Sequence, residues 1–271
     1  MHSIILTIHN KEWLIEKVLN GIIDNTVGKY ELIIVIDGCT DNTESVVLKT
    51  LENKTIDFKL IFAPDVFETK ANNLGLKAAQ GDKVIIVQDD MVIKELGWNK
   101  RMQKPFDAFD DVFAVTARTA HDWEFNPNSQ HLEMSEDLDN CWCDICIHTN
   151  HADRSNISRD VFAVRASVNR GPLMIDHNDL RKLNYLDEIY APLDMDDHDL
   201  MYRMHKELDK VCGCYWIDYE SRDEWGGTRI SGSPAPWLLK SNHKNMKIFY
   251  DRHKDLIHLE YQKENRRLPD G

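Results

Sequence analysis

Three short acidic stretches hold the residues best suited to chemistry. The first is Gln88-Asp89-Asp90, which closes an apolar run. Neighbouring carboxylates there repel each other, and that cost is offset if one binds a hard cation such as Mg2+ or Mn2+, which shares oxygen ligands with substrate phosphates. A solvated loop start would explain the same pair. The second stretch is IDGCTDNT, from Ile36 to Thr43. Asp41 or Asn42 can cap a following helix, and capping is explanation enough for Asp41. Asp37 ends the preceding apolar run, where a carboxylate can accept a hydrogen bond from a base or ribose. The third is DMDDHDLMYR, Asp194 to Arg203, with four acids in six residues. On a helix, Asp196, Asp199 and Arg203 share a stripe on which Asp199 and Arg203 can pair, while Asp197 points elsewhere. Part of this acidity suits a helix N-terminus. The remainder exceeds capping, and one carboxylate could act as a general base toward a hydroxyl.

These residues need elements to position them. Residues 4–8, 31–37, 59–62 and 84–90 read as buried strands, and residues 12–23, 42–51 and 69–79 as helices between them. Such alternation predicts a parallel sheet with helices on both faces, and ligands bind beyond the carboxyl ends of such strands. Those ends carry His9, Asn10, Asp37, Asp89 and Asp90. Further along, the pattern predicts a helix over 97–109, a strand over 113–116, an irregular polar stretch over 120–160 and extended segments over 162–174. A helix over 196–208, a strand over 215–217, a Gly- and Pro-rich loop over 221–236 and a helix over 237–253 follow.

The 271 residues suit one large α/β domain, or one with a small appendage, and 42% hydrophobic content can fill its core. A net charge of −13, from 46 acidic and 33 basic residues, repels phosphate backbones and argues against nucleic acid as a partner. No leader or membrane-spanning run is evident, and six cysteines are too sparse for a disulfide scaffold, so a cytoplasmic location is expected. Cys141, Cys143, Cys146, His148 and His151 include metal-ligand types that Cys212 and Cys214 could complete, but the spacing fits no common zinc finger. Reduced cysteines in a loop are the preferred explanation. Trp123, Trp142, Trp225 and Trp237 could stack on a ligand ring, but tryptophans are more often packing.

Taken in order, SIILTIHNKEWLIEKVLNGI, ELIIVIDGCTDNT, ANNLGLKAAQGDKVIIVQDDM and DDHDLMYR resemble the family 2 glycosyltransferases, strongly over residues 3–95 and more loosely over 165–205. The resemblance implies a GT-A type, Rossmann-like three-layer α/β/α domain with a mostly parallel central sheet. Residues 1–110 would be its nucleotide-sugar-binding half, and 111–271 its acceptor-binding and catalytic-base half. It implies an inverting, hexosyltransferase-like enzyme that uses Mn2+ or Mg2+ and a UDP-sugar donor, acting on a carbohydrate or glycoconjugate acceptor. By position, Thr7, Ile8, His9 and Asn10 would border the nucleoside, Asp37 would contact the base, and Asp89 the ribose. Asp90 would hold the metal, and Asp197 would be the general base, with Asp196 where the family has glutamate. Lys70, Asn73 and Arg229 join the donor-binding set, with Arg222 a further phosphate partner. The chain departs from the family at Ile36, where an acid is usual, and at Gln88, which leaves one metal ligand; His243, Asp223 or Glu224 could supply another. Gly226 and Gly227 would let the 221–236 loop close over the donor. Two alternatives stay open: a nucleotidyltransferase, disfavoured by the glycine-free turn after the first strand, and a sugar-binding relative without catalysis.

Overall fold

A computed structural model of the chain describes residues 1–132, 142–226, 236–257 and 264–269. Its first half alternates as the apolar runs require: β1 (His2–Ile8), α1 (Ile15–Asn25), β2 (Tyr30–Asp37), α2 (Thr43–Leu51), β3 (Asp57–Ala63), α3 (Phe67–Ala78) and β4 (Lys83–Gln88). Next come β5 (Val92–Ile93), α4 (Trp98–Ala108), β6 (Val112–Thr116), β7 (Ala120–Phe125), β8 (Cys146–Ala152), β9 (Val161–Arg165), β10 (Ser167–Val168) and β11 (Leu173–Asp176). The remainder is α5 (His177–Lys182), α6 (Asp196–Leu208), β12 (Val211–Cys214), β13 (Tyr219–Glu220), α7 (Pro236–Ile257) and β14 (Glu264–Arg267).

The main sheet has nine strands in the order β14-β9-β12-β6-β11-β4-β1-β2-β3. All but β9 and β11 point the same way. The sheet is continuous across residue 110, because β11 pairs with β4 on one side and β6 on the other. Strand alternation divides the core between two faces. Ile4, Leu6 and Ile8 pack with α1, α2 and α4, whereas Ile5 and Ile33 face α3, α5 and α6. A smaller sheet, β10-β7-β8, lies beside the second half.

Three local expectations shift. Residues 120–160 are not irregular throughout, since β7 and β8 pair antiparallel within them. The strand expected over 215–217 lies earlier, at β12, where Gly213 lets the backbone pass against Ala163 O without a side chain in the way. β4 stops at Gln88, which places Asp89 and Asp90 in the turn that follows.

The helix that carries the third acidic motif is fixed by Asp199, which is fully buried. Its Oδ2 accepts from Arg203 Nε at 2.6 Å, the pairing its spacing predicts. Oδ1 accepts from Tyr190 Oη at 3.0 Å and Arg252 Nη1 at 2.9 Å, and meets His253 Nε2 at 2.8 Å. One carboxylate thus ties α6 to α7 and to the segment before α6. Burial alone would raise the Asp199 carboxyl, but the His253 and Arg203 contacts hold it at about 2. A depressed carboxylate stabilises the fold above its unfolded pKa and loses that contribution as pH falls through the folded value. Asp199→Asn should therefore cost about 3 kcal/mol at pH 7 in urea unfolding, and the gap to the parent chain should narrow between pH 4 and pH 2.

Candidate functional site

β1, β2 and β4 run parallel and in register, with Thr7 level with Val35 and Gln88, so their carboxyl ends form one rim. Thr7 is half-buried at this rim, and Ile8 sends its side chain into the core, leaving only its backbone for a ligand. His9 Nδ1 lies 2.6 Å from Asp37 O, and the His9 N–H donates to Asp89 Oδ2 at 3.2 Å. Asn10 adopts φ +48° and its Oδ1 accepts from the N–H groups of Thr40 at 2.7 Å and Asp41 at 3.3 Å, stapling the turn after β2. Asp37 is buried, and its two oxygens accept from the N–H groups of Val66 and Phe67 at 2.7 and 2.9 Å, so it caps α3. Gly38 makes this approach feasible: at φ +58° a side chain is strained, and a Cβ would fall 2.5 Å from Asp65 Cβ. Asp41 anchors the start of α2, accepting from Thr43 N–H at 3.0 Å and Glu12 N–H at 3.2 Å.

The two carboxylates after β4 have different surroundings. Asp89 faces the buried Lys11 ammonium at 3.4 Å, and Lys11 also donates to Trp225 O at 2.6 Å. Burial pushes the Asp89 carboxyl up to about 6, with Lys11 pulling the other way. Asp90 differs, because its Oδ1 is buried and has no hydrogen-bond partner among the described residues. A buried carboxylate oxygen left unpaired is costly, and a hard cation is a ligand that would satisfy it. A Cβ added at Gly226 would stand 3.1 Å from Asp90 Oδ2, so the segment ending at Gly226 passes directly over this carboxylate.

Across the rim lies the first turn of α6. Asp196 and Asp197 are both buried and share one partner, Arg170. Its Nη2 donates to Asp196 Oδ1, its Nε to Asp197 Oδ2 at 3.4 Å, and its backbone N–H to the same Asp197 oxygen at 3.1 Å. Nη1 faces Glu68 at 3.6 Å. Burial raises the Asp196 carboxyl against the pull of Arg170. Burial would do the same to Asp197, but His198, Arg170 and the backbone N–H groups bring it down to about 2, so it is ionised at neutral pH. Asp197 lines a cavity of about 140 Å³ together with His198, Asn169, Arg118, Gln88 and Glu68. The base candidate and the end of β4 therefore face one space.

Other expected residues stand apart from this space. Asn73 is buried on α3, donating to Leu186 O at 2.9 Å and Glu188 Oε1 at 3.0 Å. Lys70 is exposed on the same helix. Arg222 pairs with Glu220 at 2.7 Å and lies over the Trp225 ring, and Glu224 is 3.9 Å from Arg222. His243 packs against His131, with ring centroids 4.4 Å apart. Trp237 meets Phe67 edge-on at 5.4 Å. Arg229, Gly227 and Cys141 lie outside the described residues. Lys11 and Arg170 pair with the candidate acids, and sequence reading missed both. Each meets its acid from far along the chain, and neither stands in a pattern.

The cysteine-histidine segment also resolves differently. Cys212 Sγ donates to Arg165 O at 3.3 Å and Cys214 Sγ to Arg118 O at 3.5 Å, and burial raises both thiols. Burial pushes Cys146 to about 12. His148 leaves these cysteines and joins His121 and His198, three ligand-type side chains whose nitrogens lie within 4.8 Å of one another. Burial, then the neighbouring imidazoles, hold His121 well below its ordinary value and His148 at about 4, so both are neutral at pH 7.

Among the described residues, no helix is long and apolar enough to cross a membrane. Comparison with solved structures finds the same architecture in GalNAc-T7 crystallised with UDP, GalNAc and Mn2+. The TM-score is 0.63 at 12% identity, over 95% of this chain and 49% of that one. S. aureus TarS matches with a TM-score of 0.56 at 15% identity, over 81% of this chain and 60% of that one, and TarS has also been crystallised with UDP-GlcNAc. Glucosyl-3-phosphoglycerate synthase from Mycobacterium tuberculosis, in complex with Mn2+, UDP and phosphoglyceric acid, matches at 0.53 with 12% identity, over the whole of this chain and 87% of its own. These likenesses show the GT-A fold. An uncharacterised glycosyltransferase of Nostoc sp. (strain PCC 7120) is 30% identical over 92 residues, a stretch that spans 34% of this chain and 29% of that protein. The model of the family described as glycosyl transferase family 2 matches residues 3–170, the stretch that carries the strand-end rim, Asp89, Asp90 and Arg170, and the chain belongs to that family.

Proposed function

We propose that the chain transfers a sugar from a UDP-sugar to a hydroxyl of a carbohydrate or glycoconjugate, in one displacement that inverts the anomeric carbon. The observation that carries this reading is Asp197: an ionised carboxylate, held by Arg170, that opens into the cavity shared with Gln88 at the end of β4. The strand-end rim at Thr7, His9, Asn10, Asp37 and Asp89 is the place for the nucleoside, and the UDP complexes of structural relatives make uridine the first base to test. Asp90, with its unpaired Oδ1, would hold Mn2+ or Mg2+, whose charge would offset that of the departing diphosphate.

On this reading, the acceptor hydroxyl enters the cavity and Asp197 takes its proton. The acceptor oxygen bonds to the anomeric carbon while the bond to the diphosphate oxygen breaks, and the pair of electrons leaves with the diphosphate. Arg170 and the backbone N–H groups fix the Asp197 carboxylate so that no reorganisation is needed during transfer. Lys11 keeps Asp89 in place and, through Trp225 O, holds the 223–226 segment at the rim. The turn after β1 contains no glycine, which disfavours a nucleotidyltransferase phosphate loop. The buried thiols of Cys212 and Cys214 fit a reducing compartment such as the cytoplasm.

Two measurements test this reading. Asp197→Asn should lower transfer from the preferred UDP-sugar by about 10²–10⁴-fold while the donor dissociation constant changes little; undiminished turnover would remove Asp197 from the reaction. Asp90→Asn should abolish the gain in UDP affinity that Mn2+ gives the parent chain, read by calorimetry with and without the ion. An unchanged Mn2+ effect would place the cation elsewhere.

A further inference from the structure

Beside the cleft, but separate from Asp90, three histidines converge from three elements. His121 lies on β7, His148 on the neighbouring β8, and His198 in the first turn of α6. The rings of His121 and His148 are 3.9 Å apart, and those of His121 and His198 are 5.1 Å apart. One nitrogen from each falls within a sphere where all pairs are closer than 4.8 Å.

His121 is the telling member. It is fully buried, and neither Nδ1 nor Nε2 has a hydrogen-bond partner among the described residues. A neutral imidazole carries one donor and one acceptor, and burying both unsatisfied is a penalty that native interiors avoid. His198 has the opposite arrangement: its Nδ1 is engaged by Ser167 Oγ at 2.8 Å, which leaves Nε2 as the nitrogen available to an ion. Fixing one ring nitrogen by an outer hydrogen bond while the other faces a shared point is how metal-bound histidines are held. His148 is exposed and gives the site an opening to solvent.

We propose that His121, His148 and His198 bind a borderline divalent transition ion, with Zn2+ the expected occupant. Imidazole nitrogens select such ions, whereas Mg2+ and Ca2+ take oxygen ligands. Tetrahedral coordination at 2.0–2.1 Å needs nitrogens about 3.3 Å apart, so the side chains draw together as the ion enters. Three protein ligands leave a fourth position, and Asp197 Oδ1 stands 3.6 Å from His198 Nε2 beside it. The ion would pin the first turn of α6, and Asp197 with it, to the small β10-β7-β8 sheet. This site is distinct in chemistry from the oxygen site at Asp90 and does not depend on what the chain transfers.

The test uses the full chain, stripped with a chelator and titrated with Co2+, then Zn2+. One equivalent of Co2+ should produce visible d–d absorption that one equivalent of Zn2+ abolishes. His148→Gln, at an exposed position, should weaken Co2+ binding by at least about 100-fold, and Asp90→Asn should leave it unchanged. Zn2+ should raise the melting temperature of the parent chain and not that of His148→Gln. Failure to bind either ion stoichiometrically, or equal binding by His148→Gln with a native circular dichroism spectrum, would overturn the proposal. Neither result bears on the transferase reading, which is judged by turnover and by the effect of Mn2+ on UDP binding at Asp90.

Discussion

The structure depends on the neutralisation of carboxylates gathered where water is scarce. The carboxyl ends of β1, β2 and β4 and the N-terminus of α6 bring acids together at one rim, and every buried charge there costs several kcal/mol unless it is met. The chain meets them one by one. Asp37 takes the N–H groups at the start of α3, Asp89 takes Lys11, Asp196 takes Arg170, and Asp199 takes Arg203, Arg252 and His253. Among the described residues, Asp90 and Asp196 each keep a buried oxygen without a hydrogen-bond partner, and Asp197 opens into the cavity. A net charge of −13 makes the pairing more demanding, since cations are the minority.

That distribution explains how legible the site was in the sequence. The buried runs over 4–8, 31–37 and 84–88 could be read because a parallel strand covered on both faces is apolar at every position. The Asp199–Arg203 pair could be read because helix geometry fixes neighbours four apart. Asp197 could be separated from that stripe for the same reason. What could not be read are the partners supplied by tertiary structure. Lys11 meets Asp89 across the rim, and Arg170 reaches α6 from the loop before β11. Neither contact has a local signature. Asn73 shows the same limit from the other side: its type suits a ligand, and only the fold reveals that its amide donates to Leu186 O and Glu188.

The same reasoning applies to the polar stretch over 120–160. Its low hydrophobicity suggested a loop, yet β7 and β8 form a ladder there because β7 is covered by β10, α6 and α7, with Trp123 and His121 on its buried side. The cross-strand pairing of Trp123 with His148 brings the exposed strand's histidine to the buried one. The segment's described cysteines, Cys143 and Cys146, drew attention in the sequence, whereas the structure buries both in the packing around Trp123 and gathers histidines that are 27 and 50 residues apart.

The electrostatics of Asp197 also constrain how a transfer could proceed. A carboxylate held at about 2 by His198, Arg170 and backbone N–H groups is ionised at any physiological pH, but it is a weak base. An unreacted alcohol is far less acidic, so full proton transfer before bond formation would be strongly uphill. The hydroxyl becomes acidic only as its oxygen gives electron density to the anomeric carbon. On the proposed reading, proton transfer to Asp197 would then accompany or follow the making of the new bond. Arg170 is consistent with that order, because its backbone N–H and its Nε both hold Asp197 Oδ2 in position while Asp197 lines the cavity. An environment built for positioning, more than for basicity, is what a concerted displacement requires.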